Sequence, residues 1–429
     1  MEIIDTPKRC PFIVPYYRTF TSLPLDLLRF GAFGLVIVLY ALFGTPTPDQ
    51  IGVIEGVIGA LLLFALIHPE LNALWKTPLP YAVDWVYAGR MALLFGMSLP
   101  VLVGIMQGNQ QGAVLRDIVW LCFMVMPVFL IGIFPAGQYK RLVALCVFAG
   151  WVLALREILR VLGAESAILG GAEATAYLGN SPLVLFSAIM LAGYGLAILV
   201  ENPRRIIFAF FLFTLSLIPI GAMVMGMQRA PLGLFVMSLF ILGFSAVRVR
   251  PFRACACLIV LGAIMAVFWQ DISALGSVLM EKTAQVGFNR RAEEWLAVWN
   301  HIRSNPMNVL LGTGWGGVYS SPAVGGMSVH FTHGALSFVF LKTGVAGFFV
   351  FGLYFYTFGR KIWNTMMQAS SLRSLAFCLA LFCPFMIDVT LYASFKSFDF
   401  GVLLVLMAFA PRLIEGKEQQ ILVSVEKSL

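Results

Sequence analysis

The sequence predicts an all-α polytopic membrane protein with about twelve transmembrane helices in a single domain that covers residues 1–429. Of the 429 residues, 60% are hydrophobic and 12% are charged, and the mean hydropathy is +0.90. Ordinary water-soluble domains carry about 25% charged residues. Apolar stretches long enough to cross a hydrocarbon core of ~30 Å also recur along the whole chain. These observations exclude a soluble fold of ordinary composition.

The predicted spans follow one another with short polar connections. They lie near residues 25–44, 51–67, 85–107, 118–135, 142–162, 182–200, 206–225, 231–247, 254–270, 334–357, 375–393 and 398–411. No internal repeat, low-complexity run or linker divides them. The one sizeable extramembrane element is the segment 271–333, between the ninth and tenth spans.

Basic residues predict the orientation of these spans. With the N-terminus in the cytoplasm, most lysine and arginine clusters fall in cytoplasmic loops, as the positive-inside bias requires. Those clusters are Lys140/Arg141, Arg204/Arg205, Arg248/Arg250/Arg253, Arg360/Lys361/Arg373 and Arg412/Lys417/Lys427. This topology explains much of the net charge of +8, so no nucleic-acid partner is expected. Residues 1–20 lack an apolar core with a small-residue cleavage site, so the first span is expected to act as the insertion signal.

Neither the cysteines nor the acidic residues predict a metal site or a cofactor. Six of the seven cysteines lie in apolar runs, and Cys255 and Cys257 project from different sides of a helix. The acidic residues of segment 271–333 are scattered along it. They are Asp271, Glu281, Glu293 and Glu294.

Segment 271–333 contains the stretch RAEEWLAVWNHIRSNP, which predicts an amphipathic helix at the membrane interface. Trp295, Trp299 and Ile302 recur at helical spacing and would anchor this helix. Pro306 is expected to end it.

A glycine-rich turn is predicted at LLGTGWGG, residues 310–317, leading toward His330 and His333. His333 then opens the next apolar helix at the membrane surface, and histidine is the residue type best suited to proton transfer near neutral pH. At about 100° per residue, one face of this helix is expected to continue below the imidazole and to pack against a neighbour. That face carries Ser337, Gly344 and Gly347.

Arginines on the predicted outer face are candidate functional residues, because the topology does not explain them. Arg229, in MQRAPLG, precedes the eighth span, where helix N–H groups and a guanidinium together suit an anion. Arg290 and Arg291 precede the interfacial helix in the same way. Arg156 and Arg160 lie one turn apart near the outer end of the fifth span. The alternative for each is snorkelling to lipid headgroups or pairing with a local acid.

Four charged residues lie inside predicted spans. Lys342 and Asp388 are expected to form a structural ion pair between the tenth and eleventh spans, and the alternative is that Asp388 lines a cavity. For Glu55 and Arg90 the sequence assigns no role.

Three motifs between Arg229 and Gly347 occur in a fixed order on the outer face. They are Gln228-Arg229-Ala230, then Arg291-x3-Trp295 leading to Pro306 and Gly312-x-Gly314, and then His333-x10-Gly344-x2-Gly347. With these motifs the chain resembles the bacterial O-antigen ligase and O-antigen polymerase superfamily, polytopic glycosyltransferases of the GT-C type. In the ligase motif Asn, Ser or Gln follows the histidine, whereas Gly334 does so here.

The resemblance implies transfer of a preassembled glycan from undecaprenyl diphosphate to an acceptor hydroxyl. The reaction would take place on the periplasmic face of the bacterial inner membrane, with inversion. Because the acidic residues of segment 271–333 are scattered, we expect it to need no metal, and no cofactor is expected. His333 would be the base, with His330 as its rival, and Arg229 and Arg291 would clamp the diphosphate. Secondary substrate contacts would come from Arg290, Arg156, Arg160 and His330.

The acceptor distinguishes the two branches of this superfamily. Ligases use lipid A-core, and polymerases use a growing lipid-linked glycan. The single sizeable external segment favours a ligase, whereas the spacing Arg303-x10-Gly314 is similar to one found in polymerase loops. A transporter of lipid-linked sugars is the alternative from another class, since twelve spans and buried charges suit transport, but no repeat is visible.

Overall fold

A computed structural model describes residues 24–44, 53–67, 84–130, 138–163, 178–267 and 290–410, with a few residues between 269 and 281. Most of the described part is helical, and the strands in it form one two-stranded hairpin. Eight of its helices are long and apolar enough to cross a membrane. The chain is therefore an all-α, multi-pass membrane protein. Residues 1–20 and the basic residues beyond 411, which entered the topology prediction, lie outside the described residues.

Most of the predicted spans correspond to long helices in the described ranges. These are α1 (Pro24–Phe43), α3 (Trp85–Met106), α6 (Tyr139–Val161), α7 (Pro182–Glu201), α8 (Ile206–Met225), α9 (Arg229–Val249), α13 (Ala335–Met367) and α14 (Leu372–Thr390). Shorter helices occupy the other four predicted positions. These are α2 (Val53–Leu66), α4 (Gln111–Met124) followed by α5 (Met126–Phe129), α10 (Pro251–Val267) and α15 (Phe398–Phe409).

Helix α7 lies at the centre of the bundle and packs against α6, α8, α9 and α14. In the most apolar 18-residue stretch of α7, 83% of the residues are buried, whereas in the corresponding stretch of Pro203–Met225, which includes α8, only 28% are buried. A Cβ at Gly150 of α6 would lie 1.9 Å from the carbonyl oxygen of Leu183, so glycine permits the close approach of α6 and α7.

The described part of segment 271–333 contains two short helices and the hairpin. Helix α11 is Arg291–Ile302, and α12 is Pro306–Leu311. Strand β1 (Tyr319–Ser321) pairs antiparallel with β2 (Met327–Val329). The prediction that Pro306 ends α11 is wrong. Pro306 is the first residue of α12, where a backbone N–H would have no partner within the helix, so proline loses no hydrogen bond there.

Helix α11 buries a different face from the one predicted. Its buried stripe is Glu294, Val298 and Ile302, at four-residue spacing. Trp295 and Trp299 lie beside this stripe, and both rings are 6.2 Å from the ring of Phe340 on α13. The tryptophans therefore join α11 to α13.

The predicted glycine-rich turn enters the helix bundle. Pro100 of α3 has no N–H, so the carbonyl of Gly96 lacks its helical donor. The indole Nε1 of Trp315 donates to that carbonyl at 2.7 Å, and the amide of Trp315 donates to the carbonyl of Pro100 at 2.9 Å. Trp315 is fully buried. The turn is thus anchored to α3 inside the bundle.

Helix α13 is interrupted at Gly344, where φ is +60° and ψ is −158°, a conformation that favours glycine. The break leaves carbonyls of the preceding turn without helical donors. Two amides of the 312–314 turn donate to the carbonyls of Leu341 and Lys342 at 3.0 and 2.9 Å. The prediction that one helical face continues from His333 past Gly344 is therefore wrong, because the helix breaks there to receive the turn.

The predicted pair between Lys342 and Asp388 is also wrong. Nζ of Lys342 lies 2.9 Å from Oδ2 of Asp117 on α4, and it donates to the carbonyl of Gly317 at 2.6 Å. Asp388 instead accepts a hydrogen bond from the hydroxyl of Ser394 at 2.6 Å. The turn that enters the bundle brings these partners to Lys342, which sequence spacing could not indicate.

The candidate residues gather at one end of the bundle, which we call the site end. There α3 and α14 finish and α4 and α13 begin. The amide of Gly316 donates to Asp117 of α4 at 2.8 Å. Gly334, at the start of α13, meets the carbonyl of Thr390 at the end of α14.

Candidate functional site

The site is built around the carboxylate of Glu294, which is only 2% exposed. It lies 3.0 Å from Nδ1 of His333, and it accepts hydrogen bonds from the backbone amide of His333 at 3.2 Å and from the hydroxyl of Tyr319 at 2.8 Å. An ionised carboxylate can only accept, so Nδ1 of His333 carries the proton and Nε2 has the lone pair.

The imidazole of His333 has the geometry that a general base would need. Its side chain is 22% exposed, and Nε2 has no hydrogen-bond partner among the described residues. A carboxylate behind the imidazole fixes its tautomer and stabilises the cation that forms when Nε2 takes a proton. This is the chemistry needed to activate a hydroxyl.

The charge states of the two supporting groups agree with this role. Burial by itself raises the pKa of Glu294, but the hydrogen bonds and charge of His333 and the hydroxyl of Tyr319 outweigh it, so its pKa is lowered. Burial and the neighbouring Glu294 raise the pKa of Tyr319. Glu294 is therefore ionised and Tyr319 remains a donor at neutral pH.

Arg291, the first residue of α11, lies beside the same carboxylate. Its Nη1 is 3.7 Å from Oε2 of Glu294, an ion-pair distance that is too long for a hydrogen bond. This nitrogen is buried and has no hydrogen-bond acceptor within the described part of the chain. Burial lowers the pKa of Arg291, whereas Glu294, Tyr392 and Tyr319 raise it. An anion oxygen would satisfy this donor.

Arg229 is the first residue of α9 and follows a turn in which Met227 has a φ of +49°. Tyr392, just after α14, lies within electrostatic range of both Arg229 and Arg291. Burial raises the pKa of Tyr392 to about 12, although the two arginines lower it and Asp388 raises it. Tyr392 is therefore a protonated donor within electrostatic range of both arginines.

Arg290 lies at the exposed rim of the site. It precedes α11 with a φ of +53°, and its side chain is 59% exposed. Its Nη1 donates to the carbonyl of Pro322 at 3.3 Å, and its Nε is 3.8 Å from Oε2 of Glu293. A weakly held, exposed guanidinium of this kind can reach a substrate without breaking a buried contact.

Arg156 and Arg160 have structural contacts. The Nη1 atom of Arg156 donates to the carbonyls of Ala41 and Gly44, both at 3.0 Å, at the end of α1. Arg160 forms two hydrogen bonds with Glu157, at 3.0 and 2.6 Å. These contacts favour the structural alternative that the sequence left open, and secondary substrate binding by the two residues stays a prediction.

His330 faces a different neighbour from His333. Its Nδ1 lies 3.0 Å from the carbonyl oxygen of Gly316, and burial lowers its pKa. No carboxylate contacts its imidazole within hydrogen-bond distance in the described ranges. This difference favours His333 over His330 as the base.

Gly334, which departs from the ligase motif, lies in a tight contact. A Cβ at this position would be 2.6 Å from the carbonyl oxygen of Thr390. Every other residue type would therefore push the start of α13 away from the end of α14. In this chain the glycine is a packing requirement.

Sequence reasoning missed Glu294, Tyr319 and Tyr392. In the sequence Glu294 is one of several scattered acids, but it continues the apolar stripe of Val298 and Ile302 at four-residue spacing. That alignment was the available signal, since it directs a carboxylate into the protein. Tyr319 and Tyr392 carry no comparable signal, because their roles depend on the hairpin and on the end of α14.

No protein-family model matches the chain, and no curated protein matches it significantly. The resemblance to the superfamily therefore depends on the residues described above. Within the described residues, no three His, Cys, Asp or Glu side chains group as metal ligands. A metal-independent reaction stays a prediction.

Proposed function

We propose that this chain is a membrane glycosyltransferase of the O-antigen ligase and polymerase type. It moves a preassembled glycan from undecaprenyl diphosphate to an acceptor hydroxyl. The observation that carries the proposal is the contact of His333 with the buried carboxylate of Glu294, which leaves Nε2 open. Arg291 lies 3.7 Å from the same carboxylate and supplies the positive charge that a diphosphate needs.

The chemistry follows from these contacts. Nε2 of His333 takes the proton of the acceptor hydroxyl as its oxygen attacks the anomeric carbon. The bond from that carbon to the diphosphate oxygen breaks, and its electron pair leaves with undecaprenyl diphosphate. Glu294 stabilises the imidazolium, and Arg291 and Arg229 stabilise the charge on the leaving group. One direct displacement inverts the configuration at the anomeric carbon.

Tyr392 supports the leaving-group side of this proposal. It remains protonated at neutral pH because its pKa is raised to about 12, and it lies near both arginines. A phenol hydroxyl at this place can donate to a phosphate oxygen that the guanidinium groups also bind.

The proposal includes twelve spans, a GT-C-like architecture, cytoplasmic termini and a periplasmic site in the bacterial inner membrane. Eight long helices, together with shorter helices at the four remaining predicted positions, support the count. Lys140 and Arg141 begin α6, whereas Arg156 near its other end contacts the site end of α1. This separation supports the orientation predicted from the basic loops.

The acceptor decides between two candidate functions. We assign a ligase with lipid A-core as acceptor. A polymerase that extends a lipid-linked glycan is the second candidate. The spacing from Arg303 to Gly314 suggested a polymerase, and Arg303 is the exposed residue that caps the end of α11. Both functions use the same base and the same arginines.

The test uses the full chain in lipid nanodiscs with undecaprenyl-diphosphate glycan, with and without lipid A-core. A ligase forms capped lipid A-core and releases undecaprenyl diphosphate, whereas a polymerase lengthens the glycan without lipid A-core. His333→Ala is expected to abolish either product. Normal turnover by folded His333→Ala protein would refute the proposal, as would movement of labelled donor across proteoliposomes without cleavage of its diphosphate bond.

A further inference from the structure

A second positive group lies beside the base, on the turn Ala393–Lys396. The ammonium of Lys396 is 4.0 Å from the ring centre of Phe338, 5.6 Å from that of Phe331 and 5.9 Å from that of Phe395. Three aromatic faces therefore surround this cation, which is held at the site end by cation–π contacts.

The ammonium of Lys396 has unused hydrogen-bonding capacity. It carries three N–H donors, but in the described part of the chain it has no hydrogen-bond acceptor and no carboxylate within ion-pair distance. Burial lowers the pKa of Lys396 to about 7. A bound anion would satisfy the donors and favour the charged form.

Positive charge exceeds negative charge around this ammonium. Oδ2 of Asp117 lies 2.9 Å from Nζ of Lys342 and accepts the amide of Gly316 at 2.8 Å, so this carboxylate already has two partners. Arg116, one residue earlier on α4, is exposed. Three charged groups lie within electrostatic range of Lys396, and the same three lie within range of His330. They are Arg116, Asp117 and Lys342.

The ring of Phe331 lies between His333 and the basic cluster formed by Lys396 and Arg116. Its centre is 5.6 Å from the imidazole centre of His333 and 5.6 Å from Nζ of Lys396. Arg291 reaches His333 through a different neighbour, Glu294. A glycan whose hydroxyl lies at His333 can therefore place a charged substituent of the same or the next sugar at Lys396.

We propose that Lys396 and Arg116, with His330 within electrostatic range of Arg116, bind an acidic group, a carboxylate or a phosphate, on the acceptor glycan. This inference rests on the proposed function, because it assigns the substrate class on the acceptor side of the same site. In this arrangement Arg291 and Arg229 bind the diphosphate of the donor. The acidic acceptor belongs to the cluster beyond Phe331.

Amine acetylation of the full chain in nanodiscs at pH 7.5, read by mass spectrometry, tests the proposal. The probes are inorganic phosphate and D-glucuronate, with D-glucose as the neutral control. Either anion is expected to slow acetylation of Lys396 about threefold or more, and glucose is expected to have no effect. The exposed Lys140 on α6 is the internal reference, and its rate should not change.

Two charge-matched variants locate the effect. Arg116→Gln is expected to remove most of the protection, whereas Arg141→Gln, which removes the same charge from the start of α6, should preserve it. Protection by phosphate alone assigns a phosphorylated acceptor, and protection by glucuronate alone assigns an acidic sugar. Equal acetylation of Lys396 with and without both anions overturns the proposal.

This measurement needs no glycosyl transfer. If glycan transfer depends on His333 but neither anion protects Lys396 from acetylation, only the proposed acidic subsite is refuted. Protection of Lys396 in a chain that transfers no glycan would refute the proposed function.

Discussion

Nδ1 of His333 lies 3.0 Å from Oε1 of Glu294, and the backbone amide of the same histidine donates to the other carboxylate oxygen at 3.2 Å. One buried carboxylate thus holds both the ring and the main chain of His333. The first turn of α11 and the residues just before α13 are thereby fixed relative to each other.

Replacing the carboxylate of Glu294 tests this contact. Glu294→Gln keeps the shape of the side chain but removes the charge that stabilises the imidazolium, so kcat for glycan transfer should fall by about 10²–10⁴-fold. Glu293→Gln is the matched control, because Glu293 is exposed and only 3.8 Å from the exposed Arg290. Equal kcat values for the two variants would contradict the role of Glu294.

The same carboxylate makes stability depend on pH. Its pKa is lowered from the ordinary 4.5 in the folded chain, so its stabilising effect is complete above that value and is lost as the pH falls through the lowered pKa. The Tm of the wild type should therefore fall more steeply on acidification below pH 4.5 than that of Glu294→Gln. Thermal unfolding in nanodiscs at several pH values measures this. Parallel curves for the two proteins would show that Glu294 does not contribute.

Introducing the residue of the ligase motif at position 334 should impair the chain. Gly334→Asn places a Cβ 2.6 Å from the carbonyl oxygen of Thr390, which displaces the start of α13 and with it His333. We expect at least a tenfold loss of kcat/KM, about 1.4 kcal/mol of transition-state stabilisation. Gly334→Ala introduces the same clash without an amide and should lose as much. An active Gly334→Asn enzyme beside an inactive Gly334→Ala enzyme would favour a chemical role for the amide.

The break in α13 can be tested with two glycines of the same helix. Gly344→Ala puts a Cβ into backbone atoms of the 310–312 turn at 2.6 Å and requires a strained φ of +60°, so it should lower stability by about 1–3 kcal/mol. Gly352→Ala meets nothing within 4 Å and should be neutral or slightly stabilising. Denaturation in matched detergent compares the two. Equal stability of the two variants would mean that position 344 can adopt helical φ and ψ, so that α13 continues without a break.

The pattern of apolar runs predicted the eight long membrane helices of the described ranges, because a hydrocarbon core demands long apolar runs with few charges. It also placed His333 and Arg291 near the start of their helices. It failed at Gly344 and at Lys342, where the partners come from a turn that enters the bundle and from α4. Such long-range contacts leave no periodic signal. The partner of His333 was visible only as an acid in line with Val298 and Ile302, at a spacing typical of a buried face.

The indole of Trp315 has a mechanical consequence. Its indole hydrogen bond to the carbonyl of Gly96 and its amide hydrogen bond to the carbonyl of Pro100 join the turn 310–317 to α3, so this turn and α3 are held together. The tilt of a membrane helix adjusts to the thickness of the surrounding bilayer. Through Trp315, any change in the tilt of α3 would therefore be transmitted to the turn that leads to His333.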